Sequence, residues 1–246
     1  MSDTTDDRFL GGRVKVRQPL RGFRAGLDAV MLAAAVPANR GEEVLELGAG
    51  VGTASLCLAS RIENLMVAGI EIDPALVKLA NANAAENGMD ARVSFVAGDA
   101  LAPPEELRQQ FDHVFCNPPF HGEENQSSPD EGRALALHDD EVHLAEWFAA
   151  GLKRTAPGGS LTVILRADRL SEALCALPQR GVAIFPLWPR AGVPAKRILV
   201  QARPGARTAF AILPGLVLHE AEGGYTKEAD AVLRDGGSLA LDSRGL

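Results

Sequence analysis

The chain has 246 residues, 46% of them hydrophobic, which supports one α/β domain with a full core, and its net charge of −7 repels nucleic acid on average. Its cysteines, Cys57, Cys116 and Cys175, stand far apart with no C-x-x-C, which argues for reduced thiols and against a disulfide framework or a zinc site. No apolar run approaches the roughly 18 residues of a membrane span, and the acidic start "MSDTTDDRF" is unlike a signal peptide, so a cytoplasmic protein is expected.

In chain order, residues 1–8 are polar and are expected to be disordered. From Arg8 to Leu27 there are six basic residues and no acid. "GLDAVMLAAAVP" (26–37) reads as a helix packed outside the first strand of a sheet. "EEVLELG" (42–48) is that strand, buried and closed by a glycine turn, and "TASLCLASRI" is the helix after it. The second strand is "LMVAGIEID" (65–73). Asp73 is a good N-cap, Pro74 suits the first helical position, and the helix runs to Gly88 as its C-terminal stop. "ARVSFVAGD" (91–99) and "FDHVFC" (111–116) are the third and fourth strands. An acidic stretch and a helix around "EVHLAEWFAAGLKRT" lead to a fifth, "SLTVIL" (160–165). "ADRLSEALCALPQ" is a helix, "VAIFPLW" the sixth strand and "AKRILVQAR" (195–203) the seventh. From Ala173 to His219 there are again six basic residues, Arg180, Arg190, Lys196, Arg197, Arg203 and Arg207, and no acid. The tail, 235–246, is expected to be flexible. Alternating strands and helices predict a doubly wound α/β fold with a seven-stranded, mostly parallel sheet in a single domain, and ligands at the carboxyl ends of its strands.

Those ends carry the chemistry. In "ELGAGVG" (46–52), Gly48, Gly50 and Gly52 let the backbone turn tightly and approach a ligand with no Cβ in the way. Glu71 closes strand two, where a carboxylate can accept hydrogen bonds from both hydroxyls of a ribose, in dinucleotide and S-adenosylmethionine sites alike. Asp99 closes strand three and can receive an adenine amino group. Strand four ends in Asn117, Pro118, Pro119 and Phe120. The Asn117 carboxamide oxygen and the following carbonyl can both accept from one planar NH₂ group. The prolines keep Asn117 out of the α region and add no competing N–H, and Phe120 offers a ring face for stacking. An exocyclic amine whose lone pair is delocalised into its ring needs this arrangement. Accepting both N–H bonds frees the lone pair for a methyl sulfonium by positioning and electrostatics, without a strong base. The glycine spacing does not fit the nicotinamide fingerprint, G-x-G-x-x-G, and a hydride transferase would leave Asn117 unexplained. His138 and His143 are spaced wrongly for two metal ligands on one helical face, so no metal is expected. Ser55 and Ser160 have no nucleophile-elbow context.

"ELGAGVG", "GIEIDP", "GD" at 98–99 and "NPPF" resemble the motifs of class I S-adenosylmethionine-dependent methyltransferases. "GFRAGLDAVMLAAAVP", "AKRILVQARPG" and "LHEAEGGYTKEADAVL" resemble the bacterial tRNA1(Val) adenine-N6 methyltransferase family, over roughly residues 13–234. The resemblance implies a methyltransferase domain over 9–234, with a leading segment at 9–40 and a Rossmann-like core at 41–234. It implies S-adenosylmethionine at Gly48, Gly50, Glu71 and Asp99, and the target amine at Asn117, Pro118, Pro119 and Phe120, with Asn117 shared by both. It further implies an RNA substrate, with Arg190, Lys196 and Arg197 expected to bind it. Asp28 is either a helix N-cap or part of the pocket. Guanine-N2 rRNA methylation and protein glutamine-N5 methylation are the alternatives. The roughly dozen cations in two acid-free stretches favour RNA over a peptide, and the sequence does not specify an oligomeric state.

Overall fold

A computed structural model describes residues 4–22, 24–119 and 144–241. Strands β1 (Thr4–Phe9) and β2 (Val14–Pro19) form an antiparallel hairpin. Residues 4–8, expected to be disordered, are therefore ordered. Their alternating exposed and half-buried side chains supply one face of a ladder, Asp6 pairs with Arg17 across the hairpin, and Asp7 pairs with Arg24 beyond β2. Polar composition alone hid this strand.

Helix α1 (Leu27–Ala35) follows, then β3 (Glu43–Leu47), α2 (Thr53–Arg61), β4 (Met66–Glu71), α3 (Pro74–Glu86), β5 (Val93–Ala97) and β6 (Phe111–Cys116). After the undescribed segment come α4 (Leu144–Arg154), β7 (Thr155–Arg166), α5 (Leu170–Ala176), β8 (Val182–Trp188), β9 (Arg197–Ala202), the short strands β10 (Ala211–Ile212) and β11 (Leu216–Val217), and α6 (Lys227–Leu233). The α3 start is as read. Asp73 accepts the Ala75 amide at 2.7 Å, and Pro74 opens the helix with no N–H to satisfy.

The central sheet runs β10–β8–β9–β7–β6–β3–β4–β5, with β11 also beside β8. All of its pairings are parallel except those of β9, which lies antiparallel between β7 and β8. The seven expected strands are all present. β10 and β11 bring the sheet to nine among the described residues, and at two residues each they are too short to show an alternating pattern. The sequence steps outward from β3 to β4 and β5, then returns to β6 on the other side of β3. That reversal opens a crevice between the carboxyl ends of β3 and β6.

Each face of the sheet buries its own apolar set. Val44, Phe115, Ile164 and Leu199 pack with α1 and α2 on one face, and Leu45, Leu47, Val114, Val163 and Phe148 pack on the other. Helix α1 packs against α2 and β7. The described part of the tail, residues 235–241, does not hang free. The Leu239 amide donates to the Ala34 carbonyl at 2.8 Å and Leu241 is buried, so residues 235–241 continue the fold across the end of α1.

Candidate active site

The glycine turn after β3 is built by φ values that side chains rarely adopt: +69° at Gly48, +56° at Gly50 and +83° at Gly52. Two of these positions are also closed by packing. A Cβ on Gly48 would meet the Trp147 ring at 3.0 Å, and one on Gly52 would meet the Phe95 ring at 2.5 Å. Gly50 differs, because nothing lies within 4 Å of where its Cβ would be. It borders open space at the switch crevice.

Glu71, at the end of β4, holds this turn. Its Oε2 accepts the Gly50 amide at 2.8 Å and its Oε1 accepts the Asp73 amide at 3.0 Å. The Gly48 and Ala49 amides donate to the Ile70 carbonyl at 2.9 and 3.0 Å. Asp99, past the end of β5, is exposed and accepts the Leu101 amide at 2.8 Å. Asn83 on α3 donates to the carbonyls of Arg17 and Val51, both at 3.0 Å, and so ties the leading hairpin to the glycine turn.

At the end of β6, Asn117 Oδ1 is buried and has no hydrogen-bond partner among the described residues. Stranding such an acceptor is costly, and native structures rarely do so without a use for it. Thr53 Oγ1, at the start of α2, is the other buried side-chain oxygen in this condition among the described residues. Pro118 is buried and Pro119 exposed. Phe120, His138 and His143 lie outside the described residues. Among the described residues, no three of His, Cys, Asp and Glu gather as metal ligands, and no helix is long and apolar enough to cross a membrane.

A second buried acid, Glu46, lies two residues before the turn, opposite Phe115 of β6. It accepts from the Ser55 amide and hydroxyl, and burial pushes its carboxyl up to about 8, so it is largely neutral at pH 7. Burial likewise pushes the Cys116 thiol far up, so the residue beside Asn117 is not a thiolate. The site thus contains acceptors without a strong base. Thr53 and Glu46 escaped sequence reasoning. The only signal for Glu46 was a carboxylate inside an apolar strand.

His113 Nδ1 lies 2.8 Å from Ser160 Oγ, and its Nε2 lies 3.2 Å from Glu42. This Ser–His–Glu line has the composition of a hydrolytic triad, but Ser160 is fully buried, and burial lowers the His113 pKa. It cross-ties β6 and β7 inside the protein.

The basic stretches behave differently in space than in sequence. In the leading segment, Arg17 pairs with Asp6 and Glu86, Arg24 with Asp7, and Arg13 donates to the Arg234 carbonyl. In the later stretch, Arg190 and Lys196 are exposed between the end of β8 and the start of β9, at the carboxyl rim. Arg180, Arg203 and Arg207 gather around the start of β8, at the opposite end of the sheet, where Arg180 donates to the Arg207 carbonyl. Arg197 is at the rim and pairs with Asp28 at 2.8 Å. Asp28 is therefore not the N-cap, which is Gly26, and its pair with Arg197 joins α1 to β9.

Residues 26–168 match the Methyltransferase small domain family. A solved structure of a predicted O-methyltransferase from Agrobacterium tumefaciens has the same fold, with a TM-score of 0.73 over 88% of this chain and 99% of that one at 24% identity. A doubly wound sheet with a glycine turn, a strand-end acid and an N-P-P corner around its switch crevice defines an S-adenosylmethionine-dependent methyltransferase. Two tRNA1(Val) (adenine(37)-N6)-methyltransferases, both from Porphyromonas gingivalis strains, are 32% identical over 90% of this chain and 91% of their own length, and 31% identical over 84% and 85%. A third, from Shewanella sp., is 33% identical over 61% of this chain and 63% of its own. The chain belongs to the tRNA1(Val) adenine-N6 methyltransferase family.

Proposed function

We propose that the protein methylates the exocyclic N6 of an adenine in tRNA. The observation that carries this reading is the buried, unpartnered Asn117 Oδ1 at the end of β6. S-adenosylmethionine supplies an electrophilic methyl group on a sulfonium. The residues present fit it. Gly50 has open space where a Cβ would be, and Glu71 and Asp99 bring carboxylates to the neighbouring strand ends. Gly48 and Gly50 let the backbone approach, Glu71 takes the ribose hydroxyls, and Asp99 takes the cofactor's adenine amine.

Asn117 Oδ1 and the Pro118 carbonyl accept the two N–H bonds of the target amine, and the base stacks on the aromatic ring of Phe120. Two acceptors on one nitrogen draw its lone pair out of conjugation and aim it, which is catalysis by orientation and electrostatics. Burial holds the Cys116 thiol and the Glu46 carboxyl in their neutral forms, so neither acts as an anionic base on the target amine. Asn117 also contacts the bound cofactor in this reading.

Arg190, Lys196 and Arg197 at the rim bind the RNA backbone. The relatives' names favour tRNA adenine over guanine-N2 or a protein amide. A tRNA substrate puts the work in the cytoplasm. Mass spectrometry of nucleosides from tRNA of a deletion strain tests the proposal. Loss of N6-methyladenosine that returns with the wild-type gene supports it, and an unchanged tRNA profile refutes it.

A further inference from the structure

β7 ends at Arg166 on the strand beside β6, in a register where Cys116 is opposite Val163. Arg166 is therefore three residues past a paired position and Asn117 one, on the order of 8 Å apart by strand spacing. Side chains alternate along both strands. Phe115 and Ile164 belong to one buried cluster, so Asn117 and Arg166, two residues beyond each, share that face.

Directly across from Arg166 on β9 is Arg197, on the same face as Leu199. Two guanidinium groups facing each other across a strand pair are unfavourable. Each is covered by a carboxylate. Arg197 has Asp28, with both side chains about a third exposed or less. Arg166 has Asp168 two residues on, which takes Nε at 3.0 and 3.2 Å and Nη2 at 2.5 Å. This pair is more open, with side-chain exposures of 38% and 58%. Its carboxylate spans the edge of the guanidinium as two phosphate oxygens do. The Arg166 hydrogen bond holds the Asp168 carboxyl below the usual carboxylate range, so the fork stays occupied by a charged group. The Ala167 amide donates to the Lys196 carbonyl at 3.1 Å, which brings exposed Lys196 alongside.

A base turned into the Asn117 corner leaves its phosphodiester outside the pocket, and Arg166 stands at the same end of the sheet. We propose that Arg166 grips a phosphate of the target nucleotide, and that Asp168 occupies its guanidinium until RNA displaces it. The inference rests on the RNA reading above. An exposed, locally chelated ion pair contributes little to stability, so exchange of one oxyanion for another is easy. Asp168 also discourages weaker anions from occupying the fork.

The test measures KM for a tRNA transcript, its salt dependence, S-adenosylhomocysteine affinity and Tm in the wild type, Arg166→Gln, Arg166→Lys and Asp168→Asn. Arg166→Gln should raise KM about tenfold and lower the slope of log KM against log salt by about 0.7–0.9, without changing cofactor affinity. Arg166→Lys, which keeps charge but loses the fork, should fall between. Asp168→Asn should lower KM several-fold, because a competitor is removed. A merely structural pair predicts that Arg166→Gln and Asp168→Asn lower Tm together and shift KM the same way, and that result overturns the proposal. So does an Arg166→Gln enzyme with wild-type KM and slope. A wild-type protein that methylates no tRNA fails at the RNA reading itself, before any variant is compared.

Discussion

The Glu71 carboxylate accepts the Gly50 amide at 2.8 Å, so the acid that ends β4 and the glycine turn that follows β3 form one unit. The same carboxylate accepts the Asp73 amide through its other oxygen, which fixes its orientation at the end of β4. Removing it should disturb both the turn and the ribose contacts. Glu71→Ala should weaken S-adenosylhomocysteine binding by up to about 1.5–3 kcal/mol, the range of hydrogen bonds to charged groups. Titration calorimetry measures this, and wild-type affinity in the variant would exclude Glu71 from the cofactor site.

Asn117→Ala should separate chemistry from binding. Its acceptor matters chiefly while the amine is being activated, so kcat should fall about 10²–10³-fold, as for loss of one preorganised transition-state partner. Affinity for S-adenosylhomocysteine should stay within a few-fold. Near-normal turnover would reduce the N-P-P corner to a strand-terminating turn.

Two glycines of one turn should respond differently to alanine. Gly52→Ala combines a φ of +83° with a Cβ 2.5 Å from the Phe95 ring, and should destabilise the fold by about 1–3 kcal/mol. Gly50→Ala meets nothing within 4 Å and should cost about 1–2 kcal/mol through its left-handed backbone alone. Its Cβ would enter the crevice, so cofactor affinity should drop at least about tenfold by steric exclusion. Equal affinity losses per unit of Tm in the two variants would contradict this distinction.

Glu46 gives stability a pH dependence of known sign. Its folded value of about 8 lies above the ordinary 4.5, so the native state holds the proton more tightly than the unfolded chain. That contribution is complete below about pH 4.5, declines as pH rises, and is lost above about 8. Glu46→Gln keeps a neutral side chain at every pH. The Tm of Glu46→Gln relative to wild type should therefore climb between pH 5 and pH 9. A pH-independent difference would mean that the wild-type carboxyl is already ionised at pH 5.

The local pattern of this chain determined its seven main strands, its first turn of α3 and the position of its strand-end residues. Each depends on near-neighbour physics: buried runs of Val, Leu and Ile, Asp73 capping before Pro74, and glycines where the backbone turns left-handed. The sequence therefore placed Gly50, Glu71, Asp99 and Asn117 at strand ends without any knowledge of the others.

What those ends face was decided only by the tertiary fold. Strand order puts β6 beside β3, which brings Asn117 to the crevice. Burial then leaves its oxygen without a partner and neutralises Glu46, and neither effect is visible in residue spacing. The basic stretches show the limit most plainly. Arg8 to Leu27 is free of acid along the chain, yet Asp6, Asp7 and Glu86 reach Arg17 and Arg24 across a hairpin and from α3. Arg180 to Arg207 is likewise continuous in sequence, yet β8 and β9 carry its members to opposite ends of the sheet. Electrostatic partners act through a few ångströms of space, and distance along the chain does not measure that.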